Sequence, residues 1–141
     1  MEGEQISRSE AETEAAGERL GRRLGTADVV YLAGDLGSGK TCFARGLARG
    51  RGALPREVAS PTFSILNEYA ARDGSVVLRH LDLYRLKDDP AQLLAIGLPD
   101  VVLGAPVAVE WPREAIRGLL PPTIEVCLEE APGGGRRIRT R

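Results

Sequence analysis

A chain of 141 residues, 43% hydrophobic and 28% charged with a net charge of −1, fits one globular domain over residues 1–141 and excludes a disordered or fibrous chain. That charge exerts no general pull on nucleic acid. No apolar run approaches the roughly 20 residues of a membrane-spanning helix, and the acidic start "MEGEQISRSEAETE" does not read as a secretory signal, so a cytosolic protein without membrane contact is expected.

In chain order, "SEAETEAAGERLGRRLG" predicts a helix with Ser9 as N-cap, Glu12 completing a capping box and Gly25 just past its end. Ala16, Leu20 and Leu24 form its apolar stripe. "VVYLA", residues 29–33, reads as a central strand covered on both faces. A second helix starts near Lys40, buries Ala44, Leu47 and Ala48, and stops at "GRGALP". "FSILNEYAARDGSVVLRHLDLY" predicts two strands joined at Asp73-Gly74, a dipeptide suited to the positive φ angles of a hairpin turn. "DDPAQLLAIG" predicts a helix with an aspartate cap, Pro90 in its first turn and Gly97 as its stop. "PVAVEW" and "TIEVCLEE" predict strands, the second burying Ile124, Val126 and Leu128, and "RRIRTR" returns as an edge strand. The fold class is therefore α/β, a mixed but mainly parallel sheet between helix layers.

Residues 34–41, "GDLGSGKT", fit G-x-x-x-x-G-K-[ST] between a predicted strand and a predicted helix, as a phosphate-binding loop requires. Glycines let successive N–H groups turn toward phosphate oxygens, and the helix N-terminus adds partial positive charge. Lys40 can then reach the β- and γ-phosphates while the Thr41 hydroxyl takes a place on Mg²⁺. Of 19 basic residues 17 are arginine, and one of the two lysines is this Lys40. Nucleotide contacts are expected at Gly34, Asp35, Leu36, Gly37, Ser38, Gly39, Lys40, Thr41 and Cys42. No thiol chemistry is assigned to Cys42 or Cys127, which are expected to be small buried hydrophobes. Lone His80 cannot build a zinc site, and a structural or hydrogen-bonding role is favoured for it over a catalytic one.

Mg²⁺ calls for a carboxylate at the end of a neighbouring strand. Asp82 and Glu110 both follow apolar runs, and periodicity does not choose between them. No N-K-x-D stretch follows, which favours ATP over GTP. The chain is short for the substrate insertion and lid of a nucleotide kinase. A small-molecule kinase, and a nucleotide-gated binding module without useful turnover, stand as alternatives to an ATPase.

Taken together, "YLAGDLGSGKT", "SPTFSILNEY", "HLDLYRL" and "VEWP", in this order, resemble the bacterial TsaE family, the ATPase of tRNA threonylcarbamoyladenosine biosynthesis. The resemblance runs from the first helix to "LLP" near residue 120. It implies a three-layer P-loop NTPase fold, ATP and Mg²⁺ as cofactors, and action beside the proteins TsaD and TsaB, with tRNA met through that complex. It also implies that Lys40 and Thr41 bind phosphates and metal, that Glu110 is the second metal ligand, and that Asp82 orients water or the metal's water shell. Thr62, in "SPTF", is implied as part of a switch-like segment beside the γ-phosphate, completing a catalytic set of Lys40, Asp82 and Thr62. Ser9 and Thr13 match a family segment near the adenine. Trp111 is either an aromatic at the site's edge or a core tryptophan packed on the sheet.

The chain departs from the family in the terse stretch between "AIGLPDVV" and "PVAVEW" and in the arginine-rich "ARGRGALPREVA". The terminal "GRRIRTR" has three readings: tRNA contact, an edge strand guarded by charge, or an arginine such as Arg136 reaching the nucleotide.

Overall fold

The computed structural model of the chain describes residues 3–35, 37–54, 66–84, 90–95 and 104–141, with only the backbone at 90, 92 and 93. Its strands are β1 (Gly3–Ser7), β2 (Val29–Ala33), β3 (Leu66–Ala70), β4 (Val76–Asp82), β5 (Val107–Glu110), β6 (Ile124–Glu130) and β7 (Arg136–Thr140). Its helices are α1 (Glu10–Gly21), α2 (Lys40–Gly50), α3 (Pro90–Ala95) and α4 (Glu114–Leu119).

The strands form one seven-stranded sheet in the order β1-β7-β6-β2-β5-β4-β3. Its centre is parallel, β2 pairing with both β5 and β6, and β4 with β5. Antiparallel pairs close each side, β3 on β4 and β1 on β7 on β6. Alternation along β2 decides the layers. Val30 and Leu32 face a core shared with Leu20, Phe43 and Leu47 of α1 and α2, whereas Val29 and Tyr31 face Ile116 and Leu120 at α4. Helices on both faces of a mixed sheet with a parallel centre make the three-layer P-loop NTPase fold expected from the sequence.

The expected apolar stripes are buried: Ala16, Leu20 and Leu24 in and after α1, Ala44, Leu47 and Ala48 in α2, and Ile124, Val126 and Leu128 in β6. Truncating a fully buried side chain such as Leu47 costs about 2–5 kcal/mol, through lost transfer energy and the cavity left behind. The two helices approach closely because Gly17 and Gly21 of α1 face Phe43 and Leu47 of α2, while Gly46 and Gly50 of α2 face Glu14 and Glu18 of α1. A methyl group on any of these four glycines would collide with a backbone carbonyl of the opposite helix.

Several expectations are corrected. The end "RRIRTR" does form a strand, but β7 is not an edge, because β1 covers it from Gly3↔Thr140 to Ser7↔Arg136. That strand has no apolar alternation to announce it, being exposed from Gly3 to Ile6, and cross-strand ion pairs from Glu4 to Arg137 and Arg139 help hold it. Helix α1 ends at Gly21 rather than near Gly25. Ser9 does cap it, its hydroxyl accepting from the Glu12 N–H at 3.1 Å. At the hairpin only Gly74 has positive φ. Asp73 contributes its side chain instead, accepting from the Ser75 N–H and hydroxyl. The aspartate cap and Gly97 stop of α3 lie outside the described residues. Helix α4 was not anticipated, having six residues and a single buried side chain, Ile116.

Candidate functional site

Strand β2 delivers the chain to the loop at the sheet's C-terminal edge, and α2 begins at Lys40. Gly39, the residue before the helix, has φ 101°, a left-handed conformation that strains any residue with a Cβ. Gly34 is needed for space as well, since a methyl group there would strike the Leu128 carbonyl and lie 2.6 Å from the Ser38 hydroxyl. Buried Ser38 has no hydrogen-bond partner for that hydroxyl among the described residues. Arg136, from β7, donates to the Gly37 carbonyl at 2.9 Å and so braces the outer side of the loop.

Lys40 is 5% exposed. Its ammonium donates to the Gly34 carbonyl and, at 2.8 Å, to the Asp35 carbonyl, and lies 4.0 Å from the centre of the Trp111 ring. Burial pushes its pKa below the ordinary lysine value, and the negative charges of Glu110, Asp35 and Asp82 act in the opposite direction.

The two candidate carboxylates occupy paired positions on parallel strands, Asp82 at the end of β4 and Glu110 at the end of β5. Glu110 is 3% exposed. One of its oxygens accepts from the Thr41 hydroxyl at 3.4 Å and the other meets His80 Nε2 at 2.6 Å. The Tyr69 hydroxyl lies 3.3 Å from His80 Nδ1. Asp82 faces the same cavity and accepts from the Tyr84 N–H at 3.0 Å.

Trp111 is only half-buried. Its φ of 57° is the one positive value outside glycine among the described residues. This conformation turns the indole over Lys40 and against Tyr84, ring centres 5.0 Å apart. The core-packing reading of Trp111 is thereby replaced by the site-edge one.

A cavity of about 380 Å³ lies between Lys40, Thr41, Arg45, Asp82, Glu110 and Trp111. A second, of about 250 Å³, adjoins it across Gly37, Gly39 and Cys42 and is lined by Ser9, Thr13 and Arg136. The Thr13 hydroxyl inside it is engaged by Ser7 Oγ at 2.5 Å and the Ser9 carbonyl at 3.2 Å. Cys42 and Cys127 are half-buried rather than buried as expected. Cys42 donates its thiol to the Glu10 carbonyl, joining α2 to α1 beside the loop. The fold thus gathers every described candidate residue around one loop. Leu36 and Thr62 lie outside the described residues.

Sequence reasoning gave His80 no place in the site and overlooked Tyr69 and Tyr84. The usable signal for His80 was its spacing, two residues before Asp82 and hence on the same strand face. The terminal arginines prove largely committed: Arg137 and Arg139 pair with Glu4 and Glu129, which lowers the free charge there for a phosphate backbone. Among the described residues no helix is long and apolar enough to cross a membrane.

A glycine loop between a central parallel strand and a helix, with carboxylates at the ends of adjacent strands, is the arrangement of the P-loop NTPase fold. The sequence model of the family "Threonylcarbamoyl adenosine biosynthesis protein TsaE" matches residues 7–138. The chain belongs to this TsaE family. A relative from Treponema pallidum, named tRNA threonylcarbamoyladenosine biosynthesis protein TsaE, is 38% identical over 134 residues, 94% of this chain and 96% of its own length. One of the same name from Bacillus subtilis is 39% identical over 112 residues, 79% of this chain and 67% of its own. The crystal structure of YdiB from Bacillus subtilis superposes with a TM-score of 0.70 at 29% identity, covering 99% of this chain and 86% of that one.

Proposed function

We propose that the chain is a Mg²⁺-dependent ATPase supporting N6-threonylcarbamoyladenosine modification of tRNA together with TsaD and TsaB. The observation that carries the reading is the placement of Lys40 and Thr41 at the start of α2, with the Glu110 carboxylate 3.4 Å from the Thr41 hydroxyl.

The donor set suits the metal. A hydroxyl and a carboxylate are hard oxygen ligands, and Mg²⁺ normally takes only one or two from protein, completing its shell with water and phosphate. The buried Ser38 hydroxyl, without a hydrogen-bond partner among the described residues, suits an anionic ligand. Thr41 and Glu110 would hold the ion, which would supply positive charge to offset that of the phosphates.

The chain's own residues do the rest. Lys40, already desolvated beside Trp111, exchanges the Gly34 and Asp35 carbonyls for phosphate oxygens and neutralises charge developing in the transition state. Asp82, across the cavity, orients the attacking water. The Ser9–Thr13 pocket takes the nucleoside end, with Arg136 at its rim. Thr62 is assigned to a γ-phosphate-responsive segment on the sequence resemblance alone. Because P-loop enzymes often complete their sites with groups from a partner, the isolated chain is expected to turn over slowly.

Incubation of the protein with γ-labelled ATP, with and without TsaD, TsaB and tRNA, tests this reading. Label released as free phosphate, and released faster with the partners, supports it. Label on a nucleoside, nucleotide or other small acceptor would establish a kinase, and Mg-ATP binding without release a nucleotide-gated module. Turnover as fast alone as in the mixture would remove the partners from the proposal.

A further inference from the structure

Beside the phosphate loop runs a buried polar chain that the proposed chemistry leaves unexplained. Three adjacent strands contribute to it: Tyr69 from β3, His80 from β4 and Glu110 from β5. The Tyr69 hydroxyl lies 3.3 Å from His80 Nδ1, their rings stacked at 22° with centres 6.2 Å apart. His80 Nε2 lies 2.6 Å from one Glu110 oxygen, and the other Glu110 oxygen accepts from Thr41. The His80 and Glu110 side chains are 5% and 4% exposed. Two buried polar side chains hold this geometry only when their hydrogen-bonding capacity is met.

We propose that His80 is the positioning residue for Glu110, donating its Nε2 proton to one carboxylate oxygen so that the other faces Thr41 and the metal position. The inference rests on reading the site as one for Mg-nucleotide. The donor assignment follows from chemistry: a carboxylate oxygen only accepts, so the imidazole nitrogen facing it carries the hydrogen. Nδ1 then accepts from Tyr69. Burial raises the Tyr69 pKa above the ordinary 10.0, so the phenol keeps the proton it donates.

The arrangement also explains why one acid differs from the other. Glu110 is clamped from both sides, one oxygen by an imidazole and one by a hydroxyl. Asp82, at the paired position on β4, is held through one oxygen by the Tyr84 N–H. A carboxylate whose rotamer is locked suits a metal ligand, since partners in the second coordination sphere commonly change metal affinity by about 10–100-fold. Nothing in this assignment requires His80 to touch nucleotide or to move a proton during turnover.

Because the chain has one histidine, ¹⁵N imidazole spectra of the wild-type protein read His80 without ambiguity. A proton on Nε2 supports the proposal, and a bare Nε2 overturns it, whatever happens to any variant. The second arm titrates Mg²⁺ against binding of a fluorescent ATP analogue. His80→Leu keeps apolar bulk but loses the donor, and should weaken Mg²⁺ affinity about 10–100-fold while leaving metal-free ATP binding near wild type. His80→Gln, whose amide can reach the Nε2 position, should restore most of the loss. Equal Mg²⁺ affinity in wild type and His80→Leu, or equal losses in both variants, would overturn the assignment. Wild-type protein without any Mg²⁺-dependent ATP binding would instead refute the site reading and take this inference with it.

Discussion

The Lys40 ammonium lies 4.0 Å from the centre of the Trp111 ring while donating to two carbonyls of its own loop. The lysine is thus held by groups that a triphosphate would replace, and Trp111 is the chain's sole tryptophan. Mg-ATP should therefore change the intrinsic fluorescence of the wild-type protein as the cation leaves the ring face. Lys40→Ala should abolish that change and weaken ATP binding about 10–100-fold, the worth of a charge-assisted hydrogen bond of ~1.5–3 kcal/mol. Unaltered ATP affinity by calorimetry, with circular dichroism showing an intact fold, would refute the role given to Lys40.

Lys40 also predicts a pH dependence. Its folded-state pKa lies below the ordinary 10.5, with burial the leading cause. The unfolded chain therefore holds the proton more tightly, and keeping Lys40 charged in the fold costs stability at neutral pH. This cost is full below the folded value and vanishes as pH rises from there to 10.5. Lys40→Met should accordingly melt higher than wild type at pH 7, with the gap narrowing as the pH climbs towards 10.5. A constant gap in melting temperature across that range would contradict the argument.

Glu110 and Asp82 should respond differently to neutral replacement. Glu110→Gln should lower Mg²⁺ affinity by about tenfold or more, because a clamped carboxylate is lost from the hydroxyl beside it. Asp82→Asn should bind Mg-ATP close to normally but hydrolyse it about 10²–10⁴-fold more slowly, the span of general acid–base effects. Separate Mg²⁺ titration and single-turnover measurement distinguish them, and the opposite pattern would exchange the two roles.

The contact between α1 and α2 should be intolerant of a single methyl group. Gly46→Ala places one against the Glu14 carbonyl, and overpacking costs about 1–3 kcal/mol, offsetting the roughly 1 kcal/mol gained from helix propensity. Gly118 of α4 has nothing within 4 Å of a methyl group built on it, so Gly118→Ala should be neutral or stabilising by up to about 1 kcal/mol. Urea midpoints for the two variants measure the contrast, and equal shifts would show that the glycine contact is not a packing constraint.

Much of the molecule was legible before its structure because the signals are local. The glycine loop, the capping serine, the stripes of α1 and α2 and the alternation of β6 depend on residues near one another in sequence, where backbone geometry and solvent preference act directly. Other features follow from strand pairing, which joins residues far apart in the chain. "GEQIS" carries no periodic signal and becomes the edge strand only because β7 lies ready to accept it. Gly17 and Gly46 read separately as poor helix formers, and only the crossing of α1 and α2 shows them to be the contact. The presence of Asp82 and Glu110 could be read from the sequence and the family resemblance gave them different roles, but residue periodicity could not show the physical basis of that difference. It arises because β3, β4 and β5 lie side by side, bringing Tyr69, His80 and Glu110 into hydrogen-bonding reach while Asp82 is held by the Tyr84 backbone. Local chemistry determined that a glycine loop of the phosphate-binding pattern is present; the order of the strands decided which acid stands against Thr41.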